Sequence, residues 1–319
     1  MYFQARSIDP KNSGPSGMVS ARNLVLAVFA LAAFATIVWT AFSPLGKASL
    51  FRTHSASGAS ADPRSVKIPK VVLWSWERPD DLSSVDPRDT AVAFLAGTIF
   101  IEPRAQNGLA TTTVVRRPRL QPLRVSPETN LMAVVRIESS GGAALDSQAQ
   151  KETVNSILSL SDWPGVQSLQ IDFDALKSEQ AFYKSLLIEL RERLPRETPL
   201  SVTALVSWCT SDPWLDELPA GVVDEAVPML FRMGQGSANL AHDFSSSRDF
   251  TVEICRGSLG IATDEAFSQA ILTGEFTKKT FGWKNRRIYV FHPAAWNPQS
   301  ARNAISELNR WHDKSSASR

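Results

Sequence analysis

The chain has 319 residues, 43% hydrophobic and 21% charged, with a formal net charge of +2. That length suits one barrel-sized domain plus a tail. So balanced a charge, without a Lys/Arg stripe, argues against nucleic-acid binding, and four histidines lacking an HExxH or paired Cys/His spacing argue against a zinc site.

Residues 1–23 read as a cytoplasmic tail. From Leu24 to Phe42 the uncharged run LVLAVFALAAFATIVWTAF follows Arg22 and is long enough to cross a bilayer, so 24–43 is expected to be a single transmembrane anchor. A cleaved signal peptide starting at Met18 is the competing reading. Either way the remainder is expected outside the inner membrane, in the periplasm. Residues 44–70, rich in Ser, Ala, Gly and Pro, form a flexible linker. The folded domain is expected over 71–313, with 314–319 a disordered tail. Cys209 and Cys255 both fall in the exported part, where a disulfide is permitted but not dictated by sequence.

Strand signals begin at Val71–Trp76 and Ala91–Glu102. TTTVVRRPRLQPLRV then reads as an inserted hairpin with its two halves on either side of Pro118. Leu131–Ser139 is the third strand and Gln148–Leu160 a helix. Val166–Ala175, VQSLQIDFDA, is a buried parallel strand ending in Asp172 and Asp174, with a crossover helix over Ser178–Leu194. Alternation places Gln170, Asp172 and Asp174 on one face and Leu169, Ile171 and Phe173 on the other. Pro199–Trp208, Asp224–Met233 (interrupted by Pro228), Ser258–Glu265 and Arg286–Pro293 complete the strands, and Ser300–Trp311 is a final helix. Roughly eight strands alternating with helices predict an α/β fold, a (β/α)₈ TIM barrel. The alternative is an open doubly wound sheet, but WSWERP stands after the first strand where a nucleotide-binding sheet would carry a Gly-rich loop.

In a barrel the carboxyl ends of the strands converge on one mouth. There the sequence supplies Asp172, Asp174, Glu77 and Glu138 as candidate catalytic carboxylates, and Trp74, Trp76, Arg78, Arg136, Trp208, Arg232, His292 and Trp296 as candidate substrate-binding residues. Acids, arginines and tryptophans together suit a sugar: rings stack on pyranose faces while charged groups fix hydroxyls. Glycoside cleavage needs one protonated carboxyl and a second group at the anomeric carbon, and crowding two carboxylates raises one pKa. The bland alternatives are specific too. Asp172 and Asp174 can serve as a helix cap or as ion-pair partners of Arg136 or Arg232, Trp74 and Trp76 can plug the interior, and Trp208 and Trp296 can be packing residues. No loop motif supports Ca²⁺ or Mg²⁺ at the aspartates, no GxSxG elbow is present, and neither metal nor cofactor is expected.

WSWER at 74–78, LQIDFDA at 169–175 and VPMLFRMG at 227–234 resemble a family of bacterial envelope proteins of unknown function, one connected with glycosidase-like TIM barrels. The resemblance covers roughly Val71 to Trp311 and implies the barrel without an activity. A more distant similarity is to chitinase-like glycosidases, whose fourth strand ends in alternating acids finishing in a catalytic Glu. Direct alignment of the aspartates puts Leu176 at that Glu, and Met229-Leu230-Phe231-Arg232 keeps only the Met of those enzymes' Met-x-Tyr-Asp. The expectation is a membrane-anchored glycoside-hydrolase-like barrel acting on a cell-envelope carbohydrate or polysaccharide, with Asp174 as acid/base, Asp172 orienting it, and Glu77 or Glu138 as second carboxylate. A non-catalytic glycan-binding or envelope-scaffolding domain is the alternative.

Overall fold

The computed structural model describes residue 64 and residues 68–106, 109–233, 249–266, 268, 270 and 286–316, all within the compact unit Ser57–Arg319. The expected anchor over 24–43 and most of the linker lie outside the described residues. No described helix is long and apolar enough to cross a membrane.

Eleven strands are described: β1 Val71–Ser75, β2 Asp80–Asp81, β3 Thr90–Gln106, β4 Leu109–Pro118, β5 Leu123–Arg124, β6 Leu131–Ser139, β7 Val166–Asp172, β8 Leu200–Ala204, β9 Glu225–Pro228, β10 Ser258–Ala262 and β11 Arg287–Phe291. The helices are α1 Ser147–Ser161, α2 Gln180–Arg193 and α3 Pro298–Ser316. Eight of the strands run parallel in the order β10-β11-β1-β3-β6-β7-β8-β9. A single parallel bridge, Met229 to Gly260, and the bond from Leu230 N to Gly260 O at 2.7 Å join the two ends. The result is a nearly closed, barrel-like parallel sheet in a mixed α/β fold.

Side-chain alternation divides the core in two. Leu73, Ala133, Val135, Leu169, Ile171, Val202 and Val290 face outward. There they meet Val154, Ile157 and Leu160 of α1 and Leu186, Leu187 and Leu190 of α2. Burying each such side chain contributes about 1.5 to 3 kcal/mol. Asp146 caps α1, its side chain accepting from Gln148 N at 3.0 Å and Ala149 N at 2.8 Å. The inward side carries Val72, Trp74, Ala93, Met132, Val134 and Tyr289. Trp74 fills the centre: its Nε1 donates to Gln170 Oε1 at 2.7 Å, and its ring lies so close to β10 that a Cβ on Gly260 would sit 2.8 Å from Trp74 Cη2. A glycine is required opposite a plug of that size.

Strand-and-helix alternation is looser than the sequence suggests. Among the described residues, α-helices follow β6, β7 and β11, while the β8–β9 connection is built on short 3-10 turns at Val206–Cys209 and Trp214–Glu217. The inserted hairpin also has different partners. β3 runs on past the ring and pairs antiparallel with β4 from Gly97–Pro118 to Gln106–Leu109, whereas β5 pairs parallel with β2. The Asn107-Gly108 dipeptide between β3 and β4 is the sequence signal for this arrangement. Pro118 ends a strand and does not mark the tip.

Cys209 and Cys255 form a disulfide across 46 residues. Closing a loop of that length restricts the unfolded chain by about 4 kcal/mol in the chain-entropy picture. The bridge fastens the segment before β10 to the turn after β8, where Thr251 N also donates to Cys209 O at 3.0 Å.

Candidate functional site

The inward alternation of β6, β7 and β8 brings Arg136, Asp172 and Thr203 to one sector of the mouth. Arg136 pairs with Asp172 in the strand register. Its Nη1 donates to Asp172 Oδ2 at 3.0 Å and its Nε to Glu138 Oε1 at 2.8 Å, while Thr203 Oγ1 donates to Asp172 Oδ1 at 2.7 Å. Burial alone would depress the Arg136 pKa, but Asp172, Glu138 and Asp174 outweigh it and the value rises. The buried carboxylate of Asp172 is therefore held on both oxygens. Thr203 was not singled out in the sequence, although the Ser201/Thr203 alternation on β8 carries the signal.

Asp174 lies two residues beyond, past the end of β7, and its carboxyl has no hydrogen bond or ion pair among the described residues. Its pKa is pushed up to about 6, first by desolvation and second by the charge of Asp172, with Arg136 pulling the other way. The residue keeps an exposed surface, yet enough protein surrounds the carboxyl to desolvate it in part; solvent screens the rest.

The opposite sector is aromatic. Half-buried Trp76 meets Phe291 edge-on at 6.4 Å, and Phe291 stacks on Phe231 at 5.6 Å. Beside them exposed Arg232, held at φ 58°, pairs with Asp264 at 2.6 Å and Glu265 at 2.8 Å. His292 lies over Trp296 with ring centroids 4.6 Å apart, and its Nδ1 is 2.7 Å from Thr263 Oγ1. Burial lowers the His292 pKa, with the charges of Asp264 and Asp80 opposing that shift.

Three predicted stacking platforms sit elsewhere. Trp74 is 3% exposed and its ring is occupied by Tyr289 at 5.1 Å and Phe231 at 6.1 Å. Trp208 is 2% exposed and packs against Trp214 at 5.1 Å and Tyr183 at 6.2 Å. Trp296, also 2% exposed, donates Nε1 to Trp74 O at 2.8 Å and N to Asp80 Oδ1 at 2.7 Å. A platform must offer a ring face to its ligand. In this conformation these rings serve as plug, outer core and brace.

Glu77 is exposed and pairs with Arg117 of β4 at 3.0 Å, which places it on the hairpin side of the mouth and apart from the Asp172 sector's bonds. Exposed Arg78 contributes through its backbone, since its carbonyl accepts from Arg119 Nη2 at 2.6 Å. Arg119 is a residue that sequence reasoning missed. Its buried guanidinium also donates to the carbonyls of Trp76 and Gln121 and lies 3.5 Å from Asp80. It thereby fixes the loop after β1 that presents Trp76 and Glu77. Burial raises the Asp80 pKa against the bonds from Ser75 and Trp296 that lower it. Among the described residues no group of three His, Cys, Asp or Glu is placed to hold a metal ion.

The span that carries the acidic sector is also the span with a recognisable relative. Residues 128–235 match a domain of unknown function, DUF3142. The DUF3142 match begins just before β6 and ends just past β9. It thus includes Arg136, Glu138, Asp172, Asp174, Thr203 and Arg232 while leaving out the hairpin and β10–β11. No curated protein matches the chain.

Proposed function

We propose that this domain is a glycoside hydrolase on a TIM-type barrel, anchored to the inner membrane by 24–43 and acting in the periplasm on a cell-envelope carbohydrate. The observation that carries the reading is the contrast within one strand end. Asp172 is locked by Arg136 and Thr203, while Asp174, two residues on, has no hydrogen bond or ion pair among the described residues and has its pKa raised to about 6. Such a carboxyl keeps its proton up to about pH 6, well above an ordinary Asp, and in that acid form can deliver it to a leaving oxygen. Asp172 tunes and orients it by charge. Glu138, exposed and tied on one oxygen to Arg136, supplies the second carboxylate, or Glu77 does from the hairpin side. Trp76 and the Phe231–Phe291 pair replace the buried tryptophans as the apolar side of the mouth. The disulfide supports an oxidising compartment.

One observation favours the alternative of a glycan-binding or envelope-scaffolding domain. Apart from Asp174, the mouth acids Glu77, Glu138, Asp172, Asp264 and Glu265 are each paired to an arginine. Product release from envelope and storage polysaccharides, with the full chain beside its Asp174→Asn variant, separates the two. Release by the wild type that is lost in the variant, and that declines as pH rises through about 6, fits the hydrolase. Binding without release by both proteins would sink it in favour of the binding domain.

A further inference from the structure

The β3–β4 hairpin continues the surface of the acidic sector. Directly paired residues on neighbouring strands share a face, so the register defines two rows across the sheet. One runs Arg117–Thr98–Arg136–Asp172 over β4, β3, β6 and β7. The next runs Val115–Phe100–Glu138. The other face of the hairpin is taken: Arg116 bonds Ser159 of α1, Thr112 exchanges hydrogen bonds with Ala144, and a Cβ on Gly97 would sit 2.8 Å from Leu160. The mouth-side face is open at its outer strand, although Thr98 is buried. Val115 is 45% exposed, and Phe100 carries the guanidinium of Arg117 at 5.2 Å from its ring centroid. Next to it lies a cavity of about 200 Å³ lined by Glu77, Arg117, Pro118, Leu120 and Gln121, at whose edge Leu120 is 82% exposed.

We infer that this strip, Val115, Phe100 and Arg117 with the adjoining cavity, is a distal subsite for the same linear glycan chain that enters the mouth. The inference rests on the carbohydrate reading of the mouth and adds to it that the ligand is a chain, bound across several strands. Three features select that occupant. The strip is in register with Glu138, so a ligand at the acids reaches it without leaving the sheet surface. At about 4.8 Å per strand, β4 stands about 14 Å from β7, a span for an oligosaccharide and not for a single sugar. A flat aromatic–guanidinium pair beside an aliphatic side chain and a carboxylate offers both a stacking face and hydrogen-bond partners for hydroxyls.

The test uses the full chain carrying Asp174→Asn to suppress turnover, titrated calorimetrically with disaccharides through hexasaccharides prepared from chitin, cellulose and peptidoglycan glycan strands. Affinity should rise about tenfold between the shortest and longest ligand of the preferred series. Phe100→Ala and Val115→Asp should each abolish that rise while leaving disaccharide affinity unchanged. Arg116→Ala, on the covered face, should leave the rise intact, and Val115→Asp alters an exposed position that folding does not depend on. A rise that survives both strip variants would overturn the subsite while leaving the mouth reading in place. No binding of any oligosaccharide by any of these proteins would overturn both readings together.

Discussion

At the amino end of the ring Glu225 is held by Ser258, by Arg287 and by the hydroxyl of Tyr289 at 2.6 Å. Arg287 reaches on to the carbonyls of Pro69 at 3.0 Å and Ile68 at 3.2 Å, covering that end with the incoming chain. At the carboxyl end two acids two residues apart are treated unequally: Asp172 is paired, while Asp174 has no hydrogen bond or ion pair among the described residues and is partly desolvated. Both clusters arise from alternation on neighbouring strands. A closed polar cluster with every charge met is what stability requires. A carboxyl with no partner among the described residues and a raised pKa has no such rationale, and in parallel α/β sheets the carboxyl ends of the strands are where chemistry collects.

The largest effect is expected at Glu225. Glu225→Ala leaves Arg287 and the Tyr289 hydroxyl without their buried partner and should cost about 3 to 5 kcal/mol in urea unfolding, whereas Asp174→Asn, which removes a partly desolvated charge, should raise stability at neutral pH. A large loss at Asp174 would mean that the two ends are not different in kind. Next is the plug between the ends. Gly260→Ala drives a methyl into Trp74 and should destabilise by about 1 to 3 kcal/mol, read as a lower melting temperature.

The acidic sector can be sharpened by sign. Folding raises the Asp174 pKa, so the folded chain holds that proton more tightly than the unfolded one. The stability it contributes is complete below the ordinary Asp value and is lost as pH rises through about 6. Asp174→Asn should lack that slope. Within the folded state, Asp172→Asn should move the Asp174 midpoint down and Arg136→Met should move it up, since their charges act in opposite directions. A carbon-detected NMR titration of the carboxyl reads both; shifts of the same sign would refute the stated causes. The smallest effect is expected at Arg232, where Arg232→Ala removes two exposed ion pairs and should change stability by less than about 1 kcal/mol.

Much of this was legible in the sequence where the cause is local. β6 has the expected limits, because period-two burial sets them, whereas β7 ends at Asp172, short of the expected Ala175, and Asp174 lies in a turn closed by Ala175 N donating to Phe173 O at 2.8 Å. What could not be read depends on depth or on distant partners. A tryptophan at a strand end looks the same whether it lines a mouth or plugs a ring, so Trp74, Trp208 and Trp296 were expected as platforms. Arg119 resembles any hairpin arginine until its partners, more than 40 residues away, are folded against it. The Glu225–Arg287 pair spans 62 residues and needs the register of three strands to be seen. Pro118 suggests itself as the centre of the hairpin because a proline is conspicuous, while the better turn signal, Asn107-Gly108, stands before the segment that reads as the hairpin.

The position of Trp74 also has a consequence in time. Its neighbours arrive late along the chain: Gln170 for its indole nitrogen, Phe231, Gly260 and Tyr289 around its ring, and Trp296 on its carbonyl. A strand near the start of the domain therefore waits for the last third of the chain before its centre can be filled. Such long-range closure is slow. A chain delivered vectorially from its amino end would carry an open, apolar ring until β11 arrives to complete the enclosure of Trp74.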